Sequence, residues 1–170
     1  MAFLRRNAHG VGARWRAPPE ALGYHRPMEP AHPSATLTST PLPDPIRTFL
    51  AEPRIATIST INPDGSPHQA VVWYGLEGDD LLINSRRGRR WPQNLDRDAR
   101  ISVAVPEGER PYHWVGVKGR AEPLHDGDAA VADIQALARR YGKDPAKYAG
   151  QERVSYRIVV ASTFEYGADE

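Results

Sequence analysis

The 170-residue chain contains no cysteine, which removes disulfides, thiolate metal sites and cysteine nucleophiles at once. No apolar run reaches the roughly 20 residues that cross a bilayer as a helix, and Arg5-Arg6 lacks the apolar stretch that would follow it in a secretion signal. These absences read as a cytoplasmic protein with no membrane partner. His68, His113 and His125 are widely separated and fall in no ligand-spacing motif, so no metal site is expected. A phosphate-binding Walker loop, a nucleophile elbow and a dinucleotide-binding glycine pattern are also missing, which leaves hydrolysis and nucleotide-triphosphate chemistry unsupported.

Positive charge is in short supply where a nucleic-acid-binding domain would need it. The formal net charge is +1, and residues 1–43 hold five arginines against two glutamates, so the chain from Asp44 onward is slightly acidic. Duplex or single-strand binding draws most of its affinity from phosphate neutralisation over a broad basic face. No nucleic-acid partner is expected.

What is present sorts into an extension and one domain. Residues 1–43 are rich in Pro, Ala, Ser, Thr and Arg without a period of 2 or 3.6, which predicts a disordered extension, with Met28 an alternative start inside it. From residue 44 to 170 the pattern changes. Asp44-Pro45 reads as a helix entry, with Asp as cap and Pro at the first helical position, and Glu52-Pro53 as its end. Arg54 to Ile61 reads as a strand by its β-branched content, and Asn62-Pro63-Asp64-Gly65 turns the chain into a second, antiparallel strand over Pro67 to Tyr74. Further strands are predicted at about Leu81 to Asn84, Ile101 to Val105, Tyr112 to Ala121 and Arg153 to Phe164. A helix capped by Asp126 and stopped by Gly142 lies between the last two. Six short, mostly antiparallel strands with flanking helices suggest a closed or partly closed barrel.

One stretch concentrates the charge: Asn84-Ser85-Arg86-Arg87-Gly88-Arg89-Arg90-Trp91 joins a strand end to a short helix. An isolated basic loop is most simply a solvated surface. At a strand-to-helix junction, however, guanidinium forks and free helix N–H groups converge, which suits an anion. Neighbouring loop residues cannot all face inward, so only some of the four arginines are expected to serve.

Several segments resemble one known group. Ala56-Thr57-Ile58-Ser59-Thr60, the turn Pro63-Asp64-Gly65-Ser66-Pro67-His68, Val72-Trp73-Tyr74, and Gly88 to Leu95 followed by Arg97-Asp98-Ala99-Arg100 are similar to the pyridoxamine 5′-phosphate oxidase-like split-barrel superfamily. Tyr112 to Ala121 and Gln151 to Ile158 resemble its later strands, so the likeness runs from about Asp44 to Gly167. The spacing is most like the group that uses the deazaflavin coenzyme F420. The resemblance implies a mainly β fold with flanking helices, a six-stranded antiparallel split β-barrel. It also implies a homodimer with the cofactor in a groove at the subunit interface.

The same resemblance implies an oxidoreductase that passes a hydride from reduced F420 to a small conjugated organic acceptor. FMN is the alternative cofactor, and a non-catalytic flavin carrier or a haem-binding split barrel stays open. Asn84, Ser85, Arg86, Arg87, Arg89 and Arg90 become candidates for the cofactor phosphate, with Ser85, Arg86 and Arg89 preferred. Trp91 stands where many relatives have lysine, which points to packing or ring stacking. His68 and Gln69 are placed along the ring. No catalytic residue is assigned, and the product proton is expected from solvent, His68 or Tyr74.

Overall fold

The computed structural model describes residues 38–110 and 112–168. The expected disordered extension lies outside the described residues for 1–37. Residues 38–42 run along the sheet: Thr40 N–H donates to the Val160 carbonyl at 2.8 Å and Leu42 N–H to Asp79 Oδ1 at 3.0 Å. Leu42 is itself buried in the core.

The elements in chain order are α1 (Asp44–Ala51), β1 (Ala56–Ile61), β2 (Pro67–Val72), β3 (Tyr74–Glu77), β4 (Asp80–Arg86), α2 (Arg90–Arg97), β5 (Arg100–Pro106), β6 (Trp114–Asp126), α3 (Gly127–Arg140) and β7 (Arg153–Tyr166), with a 3₁₀ turn at Pro145–Tyr148. All strand pairs are antiparallel, in the order β2-β1-β5-β6-β7-β4-β3. Ile58 of β1, Tyr74 of β3, Ile83 of β4, Val103 of β5, Val117 of β6 and Ile158 of β7 share one buried cluster. Strands from both ends of the order thus cover the same core, so the sheet curls around it. The edges β2 and β3 leave the curl split, as the split-barrel reading expects.

The sheet has seven strands rather than six, because the run expected over Pro67 to Tyr74 breaks at Trp73. The break has a tertiary cause. The Tyr141 hydroxyl, just past α3, donates to the Arg54 carbonyl at 2.6 Å and accepts from Tyr74 N–H at 3.2 Å. One side chain thereby takes up backbone groups at the seam between β1 and β3 that a continuous ladder would otherwise have to pair. Trp73 turns out of the sheet and stacks on the Tyr141 ring, 5.1 Å between centroids.

Two further boundaries matter below. β4 runs to Arg86, so Ser85 and Arg86 belong to a strand and alternate in direction. Asp44 is the first residue of α1 with Pro43 as its cap, whereas Asp126 caps α3 as expected, accepting from Gly127 N–H at 2.7 Å.

His113, just before β6, ties the β5–β6 hairpin to β7. Its ring nitrogens lie 2.8 Å from Glu165 Oε1 and 2.7 Å from Glu107 Oε2, and Phe49 meets the ring edge-on. The hydrogen bond to Glu165, then that to Glu107, raises the imidazole pKa above its ordinary 6.5. A folded-state pKa above the unfolded value means stabilisation present in full below about pH 6.5 and lost as pH rises through the raised value. Thermal melts of wild type and His113→Gln should therefore differ most near pH 6 and converge toward pH 9. A difference that grows with pH would show that His113 acts as a neutral packing group.

Candidate functional site

Strand alternation decides which basic residues converge. On β4, Asn84 and Arg86 share the face away from the barrel core, and in the β4–β7 register Asn84 lies opposite Ser155 and Arg86 opposite Arg153. Gly88, at φ 84°, reverses the chain after β4 in a conformation that L side chains rarely adopt. It brings Arg89, the residue that enters α2, back over the same face. Asn84, Arg86, Arg89 and Arg153 together line one end of a groove of about 400 Å³, within the range of small-ligand sites.

The other walls of this groove are apolar and aromatic. Val71, Val72 and Trp73 come from the end of β2 and the seam, Trp91 from α2, Ile134 and Leu137 from α3, and Tyr148 from the 3₁₀ turn. Trp91 is buried and tilted against Tyr156 at 5.7 Å, a packing position that also forms part of the wall. Asn94 donates to Thr60 Oγ1 and Asn62 Oδ1, both at 3.1 Å, and with buried Leu95 holds α2 on the barrel. The shape of α2, and with it the place of Arg89 and Trp91, is set by that anchoring.

The basic end is electrostatically unbalanced. Among the described residues, none of Arg86, Arg89 and Arg153 has a carboxylate partner. Arg86 Nε donates to Gln151 Oε1 at 3.1 Å, a neutral acceptor. Burial, followed by repulsion from Arg86 and Arg89, pulls the Arg153 pKa down to about 10.

The remaining sequence candidates lie elsewhere. Ser85 alternates to the core face opposite Val154, buried, with no hydrogen-bond partner for its hydroxyl among the described residues. It is not beside Arg86 in the groove, because adjacent strand residues point to opposite sides. Arg87 is ion-paired with Asp126 and lines a separate hollow of about 240 Å³ that also holds Asp96 and Tyr156. The hydrogen bond that Arg87 donates to Asp126 raises the Arg87 pKa, and carboxylates there disfavour a second anion. Arg90 and His68 line a different hollow with Asn62, Pro63 and Asp64. Gln69 is exposed on edge strand β2, on the face opposite to His68. Tyr74 is fully buried, its hydroxyl donating to the Glu52 carbonyl at 3.2 Å, and burial pushes its pKa up. It is thereby removed as a proton donor to the groove.

Of the sequence-predicted set, the structure thus gathers Asn84, Arg86, Arg89 and Trp91 and disperses Ser85, Arg87, Arg90, His68 and Gln69. Arg153, Gln151 and Tyr148 are the groove residues that sequence reasoning did not single out. Arg153 carried one usable signal, a charge at the head of a run whose alternate positions Val154, Tyr156 and Ile158 are apolar. Its partner on β4 was not readable without the register.

The sequence model for pyridoxamine 5′-phosphate oxidase matches residues 42–168, nearly all of the described chain. The chain belongs to the pyridoxamine 5′-phosphate oxidase family. Members with characterised names include an F420H(2)-dependent biliverdin reductase of Mycobacterium tuberculosis, 28% identical over 106 residues, 61% of this chain and 75% of the relative. A pyridoxine/pyridoxamine 5′-phosphate oxidase of Vibrio vulnificus is 31% identical over 75 residues, 42% of this chain and 36% of that protein. Both are oxidoreductases by name. A solved F420 reductase superposes with a TM-score of 0.63 at 23% identity, over 72% of this chain and 98% of that one, a likeness of fold.

Proposed function

We propose that this family member is an F420H2-dependent oxidoreductase acting on a small conjugated organic acceptor. One observation carries the reading: a single groove joins three arginines that have no carboxylate partner among the described residues to a wall of Val71, Trp73, Trp91 and Leu137. That polarity suits a molecule with an anionic tail and a flat apolar ring. The name of the Mycobacterium tuberculosis relative directs the choice toward the deazaflavin.

When bound, reduced F420 supplies the hydride; the chain's own residues orient and shield it. Arg86, Arg89 and Arg153 would hold the tail, and Trp73 with Trp91 and Leu137 would exclude water along the ring and order it against the acceptor. With Tyr74 buried and His68 in another hollow, the proton comes from solvent entering the open groove. In this reading the chain works in the cytoplasm as a homodimer. Val71, 71% exposed on the free edge strand β2 at the groove rim, and Ile55, 46% exposed beside it, are the apolar surface that a second copy would cover.

Equilibrium binding separates the cofactors. Purified protein titrated with F420 and with FMN should bind F420 more tightly and oxidise F420H2 when a conjugated acceptor is added. Co-purification with near-stoichiometric yellow flavin and no affinity for F420 would transfer the reading to an FMN enzyme. Tight binding without turnover over a broad acceptor panel would make it a carrier, and a Soret band would make it a haem protein.

A further inference from the structure

Trp73 lines the groove, yet it falls between the β1–β2 ladder, which ends at Val72, and the β3–β4 ladder, which begins at Tyr74. Strand pairing therefore leaves its position open. Two rings supply what the ladders do not. The Tyr141 ring lies 8° from parallel with the indole, and the Tyr148 ring meets it at 68° with 6.3 Å between centroids. Tyr148 itself lines the groove, whereas Tyr141 is not among the described residues that do. A ring outside the groove is thus laid flat against a ring of its wall.

Tyr141 is held at both ends. It is the C-cap of α3, and Gly142, at φ 65°, donates its N–H to the Arg139 carbonyl at 3.1 Å while Lys143 N–H reaches the Ala138 carbonyl at 2.7 Å. These two bonds close the helix end and set where the Tyr141 side chain leaves it. At the far end of the ring, the hydroxyl spans the split in the barrel, from the Arg54 carbonyl at 2.6 Å to Tyr74 N–H at 3.2 Å. Burial raises the Tyr141 pKa above its ordinary 10, which keeps the O–H a donor. The ring between these two anchors has little freedom, and stacked rings favour this centroid spacing. The hydroxyl also acts on Trp73 through the chain, because Tyr74 is the next residue.

We infer that Tyr141 is a positioning residue: it sets the plane of the Trp73 indole, and so the wall against which a flat ring is ordered in the groove. The inference rests on the proposed function only for the identity of that ring. Arg86, Arg89 and Arg153 lie at one end of the groove, so loss of the Tyr141 hydroxyl should disturb how the ring is presented and spare the hold on the rest of the ligand.

The test compares the full chain with Tyr141→Phe, which keeps the ring and removes the bonds across the split, with Trp73→Leu, and with the double variant. In protein labelled with 5-fluorotryptophan, each resonance is identified by its loss on substitution. The Trp73 resonance should shift or broaden in Tyr141→Phe, while that of Trp114, packed on Phe164, stays in place. With F420H2 and a conjugated acceptor, Tyr141→Phe should lower kcat about 10- to 100-fold and leave the F420 dissociation constant within about threefold, since misplacement acts on the reacting geometry. The double variant should turn over no more slowly than Trp73→Leu alone, because both changes remove one arrangement. Coupling is reciprocal, so hydrogen exchange at the Tyr74 amide should quicken in Trp73→Leu, and this measurement decides the matter if Tyr141→Phe does not fold. An unchanged Trp73 resonance in Tyr141→Phe overturns the inference, as do additive losses of kcat in the double variant or unchanged Tyr74 exchange in Trp73→Leu. A protein that binds no deazaflavin yet shows the fluorine shift and the faster exchange removes the F420 reading and leaves the inference standing. F420H2 turnover that Tyr141→Phe leaves unchanged does the reverse.

Discussion

Replacing Arg86 and Arg89 together by alanine is expected to weaken F420 binding by about 100- to 1000-fold, taking roughly 1.5–3 kcal/mol for each hydrogen bond to a charged group and less than full additivity. The fold should survive. Both side chains are exposed, and Arg89 makes no side-chain cap bond to α2. Among the described residues, the Arg86 side chain donates its hydrogen bond to Gln151. Removing two like charges beside Arg153 relieves repulsion, so the anion-free melting temperature should hold or rise. Calorimetric or fluorescence titration with F420, alongside a thermal melt, measures both quantities. A loss below threefold in the double variant would mean that no anion is held at this end of the groove. The control is Arg87→Ala, which breaks the ion pair with Asp126 in a separate hollow and should leave F420 affinity within about twofold, because an exposed ion pair outside the groove contributes little.

Gly119→Ala should be the most damaging conservative change in the barrel. Gly119 sits where the β6–β7 register shifts, between Lys118 paired with Ser162 and Gly119 paired with Val160. A Cβ added there would stand 2.4 Å from the Val159 carbonyl oxygen and 3.1 Å from Ile158 Cγ2. The first obstacle is backbone, in a ladder that spans the two longest strands of the molecule. A side chain could swing aside, but the carbonyl cannot move without breaking ladder hydrogen bonds. Overpacking of a core costs about 1–3 kcal/mol when side chains can adjust; here the upper end or beyond is expected. Urea unfolding should show the midpoint fall accordingly. The matched control is Gly108→Ala in the β5–β6 loop, where an added Cβ meets nothing within 4 Å, and it should leave the midpoint nearly unchanged. Equal effects at the two positions would mean that lost backbone freedom, and not space, explains Gly119.

Most of the fold was legible because its signals are local. The Asn62-Pro63-Asp64-Gly65 turn forced an antiparallel return, and Asp126 and Gly142 marked the ends of α3. Alternating burial in β5 follows directly from the placing of Ile101, Val103 and Val105 at every second position. The break at Trp73 was not legible. It depends on the hydroxyl of Tyr141, which lies 67 residues away from Tyr74 in the chain. The length of β6 was also underestimated, since Pro123 ordinarily argues against a strand and is carried here next to an irregularity in the pairing with β7.

The candidate site divides along the same line. By itself, the sequence determined a small, mostly antiparallel barrel with flanking helices and a cluster of arginines after the third predicted strand, while the split-barrel family entered as a resemblance of its motifs. The barrel and the cluster rest on residue order, which turn chemistry and hydrophobic period read directly. Only the tertiary structure decided which arginines act together. Strand alternation sends Ser85 to the core and Arg86 to the groove, Asp126 draws Arg87 into a separate hollow, and the β4–β7 register sets Arg153 opposite Arg86. The basic end of the groove is made by pairing two strands that lie 67 residues apart at Arg86 and Arg153, a proximity that no local pattern encodes.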